Sequence, residues 1–244
     1  MKEDNMIVID VGSNNGTFVD HCLKDPKIEK IIAIEANPIL AQNLKFKYGY
    51  LKSKFEVLNN VASNSNGKII PFFVSSESGV STASEGWTKN SRFATGSKSI
   101  LEKSTWQKTE KVKTISLSSI MNKYTNVGLI KIDVEGYEHE VLSGLTKECV
   151  EKNDYPTIFF EWSEEDKDNT IKCILLLQEL GYIRFGVSGY FDETVKPTKL
   201  QFDSDGDQHN NVPNLFAWSE IDEEFDKISI PERKVNWGMV YAKK

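Results

Sequence analysis

The segment Asp10-Val11-Gly12-Ser13-Asn14-Asn15-Gly16 closes a short β-branched run, Met6–Val11, and leads into a helix-like stretch, Thr17–Lys24. Two glycines four positions apart permit a tight turn and a close backbone approach to a ligand. The helix that follows would offer free amides at its start. A dinucleotide-binding turn reads GxGxxG and sets its amides on a pyrophosphate, but here Asn14 occupies the middle glycine position. Asp10 adds a negative charge beside the turn, which suits a ligand bearing an ammonium group. S-adenosylmethionine has that ammonium and no phosphate. Glu35 ends the second strand-like run, Ile31–Glu35, 23 residues after Gly12, where an acid can accept the hydroxyls of an unmodified ribose. Asn60-Val61-Ala62-Ser63 forms a small polar corner where an adenine ring could meet backbone amides; an ordinary turn is an equal reading.

A second set of acids follows later apolar runs. Lys131-Ile132-Asp133-Val134-Glu135-Gly136-Tyr137-Glu138 places Asp133 and Glu135 in alternation on an emerging strand, and Gly136 turns the chain into a helix. Phe159-Phe160-Glu161-Trp162 supplies a third carboxylate at the neighbouring strand end. Asp133, Glu135 and Glu161 together could act as a general base, hold a divalent metal such as magnesium, or accept hydrogen bonds from a polyhydroxylated substrate. For Glu135 and Glu161 a helix cap or an ion pair is the plain alternative. His209 lies in Asp203-Ser204-Asp205-Gly206-Asp207-Gln208-His209, whose alternating acids resemble the start of a calcium loop. Gln208 and Asn214 stand where such a loop needs Gly and Glu, which counts against an EF-hand. His209 is then either part of a plain loop or a residue reaching over the site, as a catalytic group or a magnesium ligand. His139 reads as a surface residue and His21 as structural. Trp87, Trp106, Trp162 and Tyr190 could stack on sugar rings, with core packing favoured for Trp162.

These groups need a scaffold that brings strand ends together. Strand-like and helix-like runs alternate through the first 190 residues, which predicts an α/β fold with a mostly parallel sheet covered by helices on both faces. Chemistry in such sheets collects at the carboxyl ends of the strands. The expected helices are Thr17–Lys24, Pro38–Tyr48 behind an Asn37 cap, Ser116–Tyr124, Tyr137–Leu145 and Asn169–Leu180, the last closed by Gly181. The expected strands after the second are Phe55–Asn59, Ile69–Val74, Leu129–Val134 and Thr157–Trp162. A final antiparallel pair, Tyr182–Val187 with Leu215–Ser219, completes the set, and the tail VNWGMVYAKK packs back on the body. The Ser/Thr/Lys-rich stretch from 75 to about 111 reads as a long inserted loop, of the kind that is functional or disordered. The 244 residues are therefore expected to form one domain, with a cofactor half over about 1–75, the insert, and an acceptor-side half over about 112–244.

Composition narrows the partners. A formal net charge of −6 argues against a broad nucleic-acid-binding face. Between Lys89 and Lys113 seven basic residues face two acids, which reads as a solvated loop or, more sharply, as a rim for an anionic carrier. No apolar run reaches the roughly 20 residues that span a bilayer, and the start of the chain lacks the apolar core of a signal peptide. A cytoplasmic location is the expectation, and the three widely spaced cysteines (Cys22, Cys149, Cys173) show no metal-ligand spacing.

Taken together, IVIDVGSNNGTF, IIAIEANP, NVASNSNG, VKTISLSSIM and above all LIKIDVEGYEHEVLSGL resemble the FkbM family of class I methyltransferases over about Ile7–Glu161. The resemblance implies a Rossmann-like, seven-stranded fold and transfer of a methyl group from S-adenosylmethionine to oxygen. By position it implies that Asp10, Gly12, Ser13, Asn14 and Gly16 hold the methionine moiety, Glu35 and Ala36 border the ribose, Ala62 and Ser63 flank the adenine, and Asp133 lies near the sulfonium. Ala36 and Asn37 depart from the family's usual residues after the acid. The strand that begins almost at Met1 suggests a shortened member or one module of a larger multidomain protein.

Three functions stay open at this point. The first is an O-methyltransferase acting on a hydroxyl of a small molecule, sugar or glycan. The second is a nicotinamide-dependent oxidoreductase, against which the missing GxGxxG counts. The third is a non-catalytic adenosine-binding module.

Overall fold

The computed structural model describes residues 5–75, 81–83, 106–163, 167–190 and 237–244. Among these residues ten strands make two sheets. The larger has seven strands in the order β3(Phe55–Leu58), β2(Ile28–Ile34), β1(Met6–Val11), β7(Val127–Ile132), β8(Thr157–Ser163), β10(Trp237–Lys243) and β9(Arg184–Tyr190). The pairs from β3 through β8 are parallel, and β10 runs antiparallel to both β8 and β9. The smaller sheet has the order β4(Val61–Ala62), β6(Trp106–Ile115), β5(Ile69–Ser75).

The β-branched runs are apolar on both faces because both faces are covered. In β1 and β2, Ile7, Ile9, Val11, Ile32 and Ile34 enter one core, while Val8, Ile31 and Ala33 enter the other. The first core is completed by α3(Leu117–Met121), α4(Glu138–Leu142), α5(Lys147–Lys152) and α6(Lys167–Glu179). The second takes Phe18 and Val19 of α1(Thr17–Cys22) and Leu44 and Tyr48 of α2(Pro38–Tyr48). The α2 cap is as expected: the Asn37 carboxamide oxygen accepts from the Ile39 and Leu40 amides, with Pro38 at the first helical position. Gly181, at φ +104°, ends α6 as expected. Cys22, Cys149 and Cys173 are buried free thiols, and Trp162 is core. No described helix is long and apolar enough to cross a membrane.

Several expectations change. Residues 106–111, taken as loop, begin the ten-residue β6, which pairs with β5 up to Lys113 and with β4 through Thr114 and Ile115. Its Lys/Thr/Glu composition hides the strand, and alternation shows only at the end, where Val112 and Thr114 are buried between exposed Lys111 and Lys113. Val61–Ala62 is a short strand on β6. The strand expected to run to Val134 stops at Ile132, and Ser116 caps α3 through its side chain. α5 is a helix beyond those expected. The partner of β9 is the tail strand β10, inserted between β8 and β9; Met239 to Ala242 are all buried, Met239 and Tyr241 in one core and Val240 and Ala242 in the other. Leu215–Ser219, His209 and Trp87 lie outside the described residues, as does most of the 75–111 stretch.

Candidate active site

The β1 turn is built by close approach. Gly12 has φ +76°, and a Cβ there would lie 1.8 Å from the Asp133 carbonyl oxygen. The Gly12 amide donates to Ile34 O and the Asp133 amide to Val11 O, so the ends of β1, β2 and β7 are tied together. Gly16, at φ +85°, opens α1, and a Cβ there would meet the Tyr48 hydroxyl at 2.4 Å. Ser13 Oγ donates to Asp10 O at 2.8 Å, which closes the turn on itself. The Thr17 amide at the start of α1 is held by Asn15 Oδ1 at 3.1 Å.

Asp10 is fully buried, and its nearest charge is internal. Lys131 Nζ lies 3.4 Å from Asp10 Oδ1 and 3.2 Å from Asp133 Oδ2, and it donates to Gly12 O at 3.1 Å. Burial by itself would lower the Lys131 pKa; the Asp133 and Asp10 carboxylates outweigh it and hold the ammonium above its ordinary value. Asp10 accepts no hydrogen bond at usual geometry, and Asn14 Oδ1 is buried without a partner. Unpaired buried acceptors beside a turn are what a ligand ammonium or hydroxyl would satisfy.

Glu35 is buried, with Oε2 accepting from the Asn14 amide and Oε1 from the Asn37 amide, both at 2.8 Å. Burial raises its pKa, and those two bonds pull against the shift. Each oxygen keeps a lone pair that a ribose hydroxyl could use. Ala36 O is bound by the Asn59 side chain. Ala62 and Ser63 are buried; the Ser63 amide is taken by Ile115 O at 2.9 Å, so it is not a free donor for an adenine.

At the ends of β7 and β8 the carboxylates of Asp133, Glu135 and Glu161 each offer an oxygen within 4.8 Å of the others. Asp133 and Glu135 reach this point through a turn, because Glu135 has φ +56° and Gly136 φ +84°. The turn is buttressed by Glu138: its Oε1 accepts from the Val134 and Gly136 amides, both at 3.2 Å, and its Oε2 accepts from Asn169 Nδ2 at 3.1 Å. Burial first, then the charge of Asp133, pushes Glu138 up to about 7 against its backbone hydrogen bonds. Glu135 stands well above the usual carboxylate range through burial and the charges of Asp133 and Glu138. Glu161 does so through burial and the charges of Glu135, Asp133 and Glu138. Like charges this close oppose one another's ionisation, so the cluster favours a bound proton or a cation. His139 is partly exposed in α4, apart from this arrangement.

The sequence brought Asp10, Gly12, Glu35, Asp133, Glu135 and Glu161 forward, and the fold gathers them. Lys131, Glu138 and Asn169 were missed. A lysine inside the otherwise apolar run LIKI was the available signal for the first, since a buried strand seldom keeps one without a partner.

A family model for the methyltransferase FkbM domain matches residues 10–184. No curated protein matches the chain. Among solved structures, the methyltransferase FkbM from Methylobacillus flagellatus KT is 15% identical with a TM-score of 0.49, covering 75% of this chain and 40% of that one. The chain therefore spans less than half the length of that relative. Precorrin-6y C5,15-methyltransferase from Geobacter metallireducens GS-15 is 9% identical with a TM-score of 0.45, over 98% of this chain and 80% of that one. A SAM-dependent methyltransferase from Aquifex aeolicus is 13% identical with a TM-score of 0.39, over 98% and 81%.

Proposed function

The chain belongs to the FkbM methyltransferase domain family, and from that premise we propose that it methylates a hydroxyl oxygen of a sugar, a glycan or a similar polyhydroxylated small molecule. The observation that carries this reading is the contact between its two halves. The glycine turn abuts Asp133 so closely that Gly12 can carry no Cβ, and the Asp133, Glu135 and Glu161 carboxylates begin at that same point. A ligand in the turn and a hydroxyl at the carboxylates would be neighbours.

S-adenosylmethionine, when bound, supplies an electrophilic methyl group, and its carbon–sulfur bond breaks with both electrons going to sulfur. The residues present fit it: Asn14 Oδ1 is a buried acceptor without a partner, and Glu35 is held by two amides with acceptor capacity to spare. Asn14 and the Gly12–Gly16 turn would hold the methionine end and Glu35 the ribose. Asp10 would act from beneath the turn, sharing its charge with Lys131. On the acceptor side, an ionised member of the Asp133, Glu135 and Glu161 set takes the hydroxyl proton as the oxygen–carbon bond forms, while the protonated members donate hydrogen bonds to neighbouring hydroxyls. Holding the two reacting atoms close and collinear is worth roughly 7–11 kcal/mol of barrier. Magnesium would be drawn to the same carboxylates and is a further element of the proposal.

The test is calorimetric titration with S-adenosylhomocysteine and with NAD, followed by transfer from labelled S-adenosylmethionine to a panel of glycosides with and without EDTA. Binding of S-adenosylhomocysteine and label on a glycoside oxygen are the expected results. Binding of NAD alone would refute the reading, and full activity in EDTA would remove magnesium from it.

A further inference from the structure

Glu135 occupies a backbone conformation that a side chain rarely adopts, and it is not a turn residue by type. Its φ of +56° lies in the left-handed region, where glycine or asparagine is the usual occupant. Such a conformation persists only where surrounding contacts over-determine it. Two contacts do so here, from opposite sides. Glu138 accepts from the amides on either side of Glu135, those of Val134 and Gly136. Thr82 donates its hydroxyl to the Glu135 carbonyl oxygen at 2.8 Å, with Val134 O at 3.4 Å.

Thr82 is itself anchored. It is fully buried, and its backbone pairs with Phe73 of β5 through bonds of 2.9 and 3.1 Å in both directions. The hydroxyl therefore links the smaller sheet, through the pairing of Thr82 with Phe73, to the turn after β7 in the larger sheet. We propose that Thr82 is a positioning residue for methyl transfer: by holding the Glu135 carbonyl it keeps that residue left-handed and its carboxylate within reach of Asp133 and Glu161. Released from this bond, Glu135 relaxes toward negative φ, and its side chain leaves the cluster. The groups that face the carboxylate are Asp133, Glu138 and Glu161, with Lys131 behind Asp133.

The inference rests on the reading of Glu135 as part of the proton-accepting set. It is tested with Thr82→Val, which keeps the shape and removes the donor, and Thr82→Ser, which restores the donor. Should Thr82→Val not fold, Thr82→Ala removes the same bond. In protein labelled with glutamate carrying ¹³C in its side-chain carboxyl, the Glu135 resonance is identified by its loss in Glu135→Gln. The resonance is expected to move to the position of exposed carboxylates in Thr82→Val and to return in Thr82→Ser. With an acceptor from the glycoside panel, kcat should fall on the order of 10- to 100-fold while the KM for S-adenosylmethionine and the affinity for S-adenosylhomocysteine stay unchanged. An unmoved resonance in Thr82→Val, or equal losses in Thr82→Val and Thr82→Ser, would overturn the proposal. Failure of the methyltransferase reading itself looks different: the unaltered protein would not bind S-adenosylhomocysteine, and the resonance comparison, run on the free protein, would still decide the role of Thr82.

Discussion

Two acidic regions lie side by side at the carboxyl ends of the main sheet, and the protein treats them in opposite ways. At the β1 and β2 ends, Asp10 faces the Lys131 ammonium and Glu35 accepts from two backbone amides. At the β7 and β8 ends, Glu135, Glu138 and Glu161 sit among one another, and no ion pair among the described residues involves them. Asp133 belongs to both, paired to Lys131 on one side and facing Glu135 and Glu161 on the other. Charge neutralised inside the fold serves architecture; charge left without a counterion is available to a proton, a cation or a substrate. The difference separates the acids that shape the turn from those that can do chemistry.

The comparison can be broken most severely at the contact between the regions. Gly12→Ala sets a methyl group on the Asp133 carbonyl in a backbone conformation alanine disfavours. Calorimetry is expected to find no binding of S-adenosylhomocysteine, and binding at the original affinity would show that the two strand ends can separate freely. Next in size is Lys131→Met, which leaves Asp10 buried and uncompensated. Breaking a buried pair from one side costs about 3–5 kcal/mol, whereas removing both charges is far milder. Thermal melts should therefore place Asp10→Asn/Lys131→Met above Lys131→Met alone; the reverse order would mean that Asp10 does not depend on Lys131.

The smallest effect is a dependence on pH. Glu138 is raised from 4.5 to about 7, and Glu135 and Glu161 are raised as well. Acids with raised values bind protons more tightly when folded, so the Glu138 contribution is complete below about 4.5 and is lost as pH rises through about 7, and Glu135 and Glu161 act in the same direction. Lys131 shifts in the same sense but around a far higher pH, so it is silent in this window. The melting temperature of the free protein should fall between pH 5 and pH 8, by roughly 2–4 °C for each kcal/mol lost. Glu161→Gln should flatten that slope. A slope that is unchanged in the variant would remove Glu161 from the cluster.

The residues of the first region were legible because their signals are local. Glycines that must adopt positive φ, β-branched runs and an Asn-Pro cap declare themselves within a few positions, and Asp10, Gly12, Gly16 and Glu35 lie where those signals point. The second region was legible in composition but not in shape. Asp133-Val134-Glu135 alternates like a strand, and only the tertiary hold of Glu138 and Thr82 makes it a turn. Thr82 comes from a stretch with weak periodicity, and its partner is 53 positions away in the chain. Lys131 looked like any strand residue until two acids from different elements closed around it. β6 was obscured by its lysines, and β10 because its pairing partners lie far away in sequence. The residue types that could do chemistry were visible, and the contacts that aim them were not.

The place of β10 also bears on how the chain acquires its shape. Among the described residues β9 pairs with the main sheet only through β10, so Arg184–Tyr190 has no neighbouring strand there until residues 237–243 are present. During synthesis the ribosome delivers the β1 to β8 frame well before that strand, and closure must wait for a pairing of long sequence separation. Until then β8 presents a bare edge, the kind of surface on which chains pair wrongly with one another. The order in which the strands emerge thus makes completion of this side of the sheet a late event in folding, and its aggregation-prone interval is set by the length of the intervening segment.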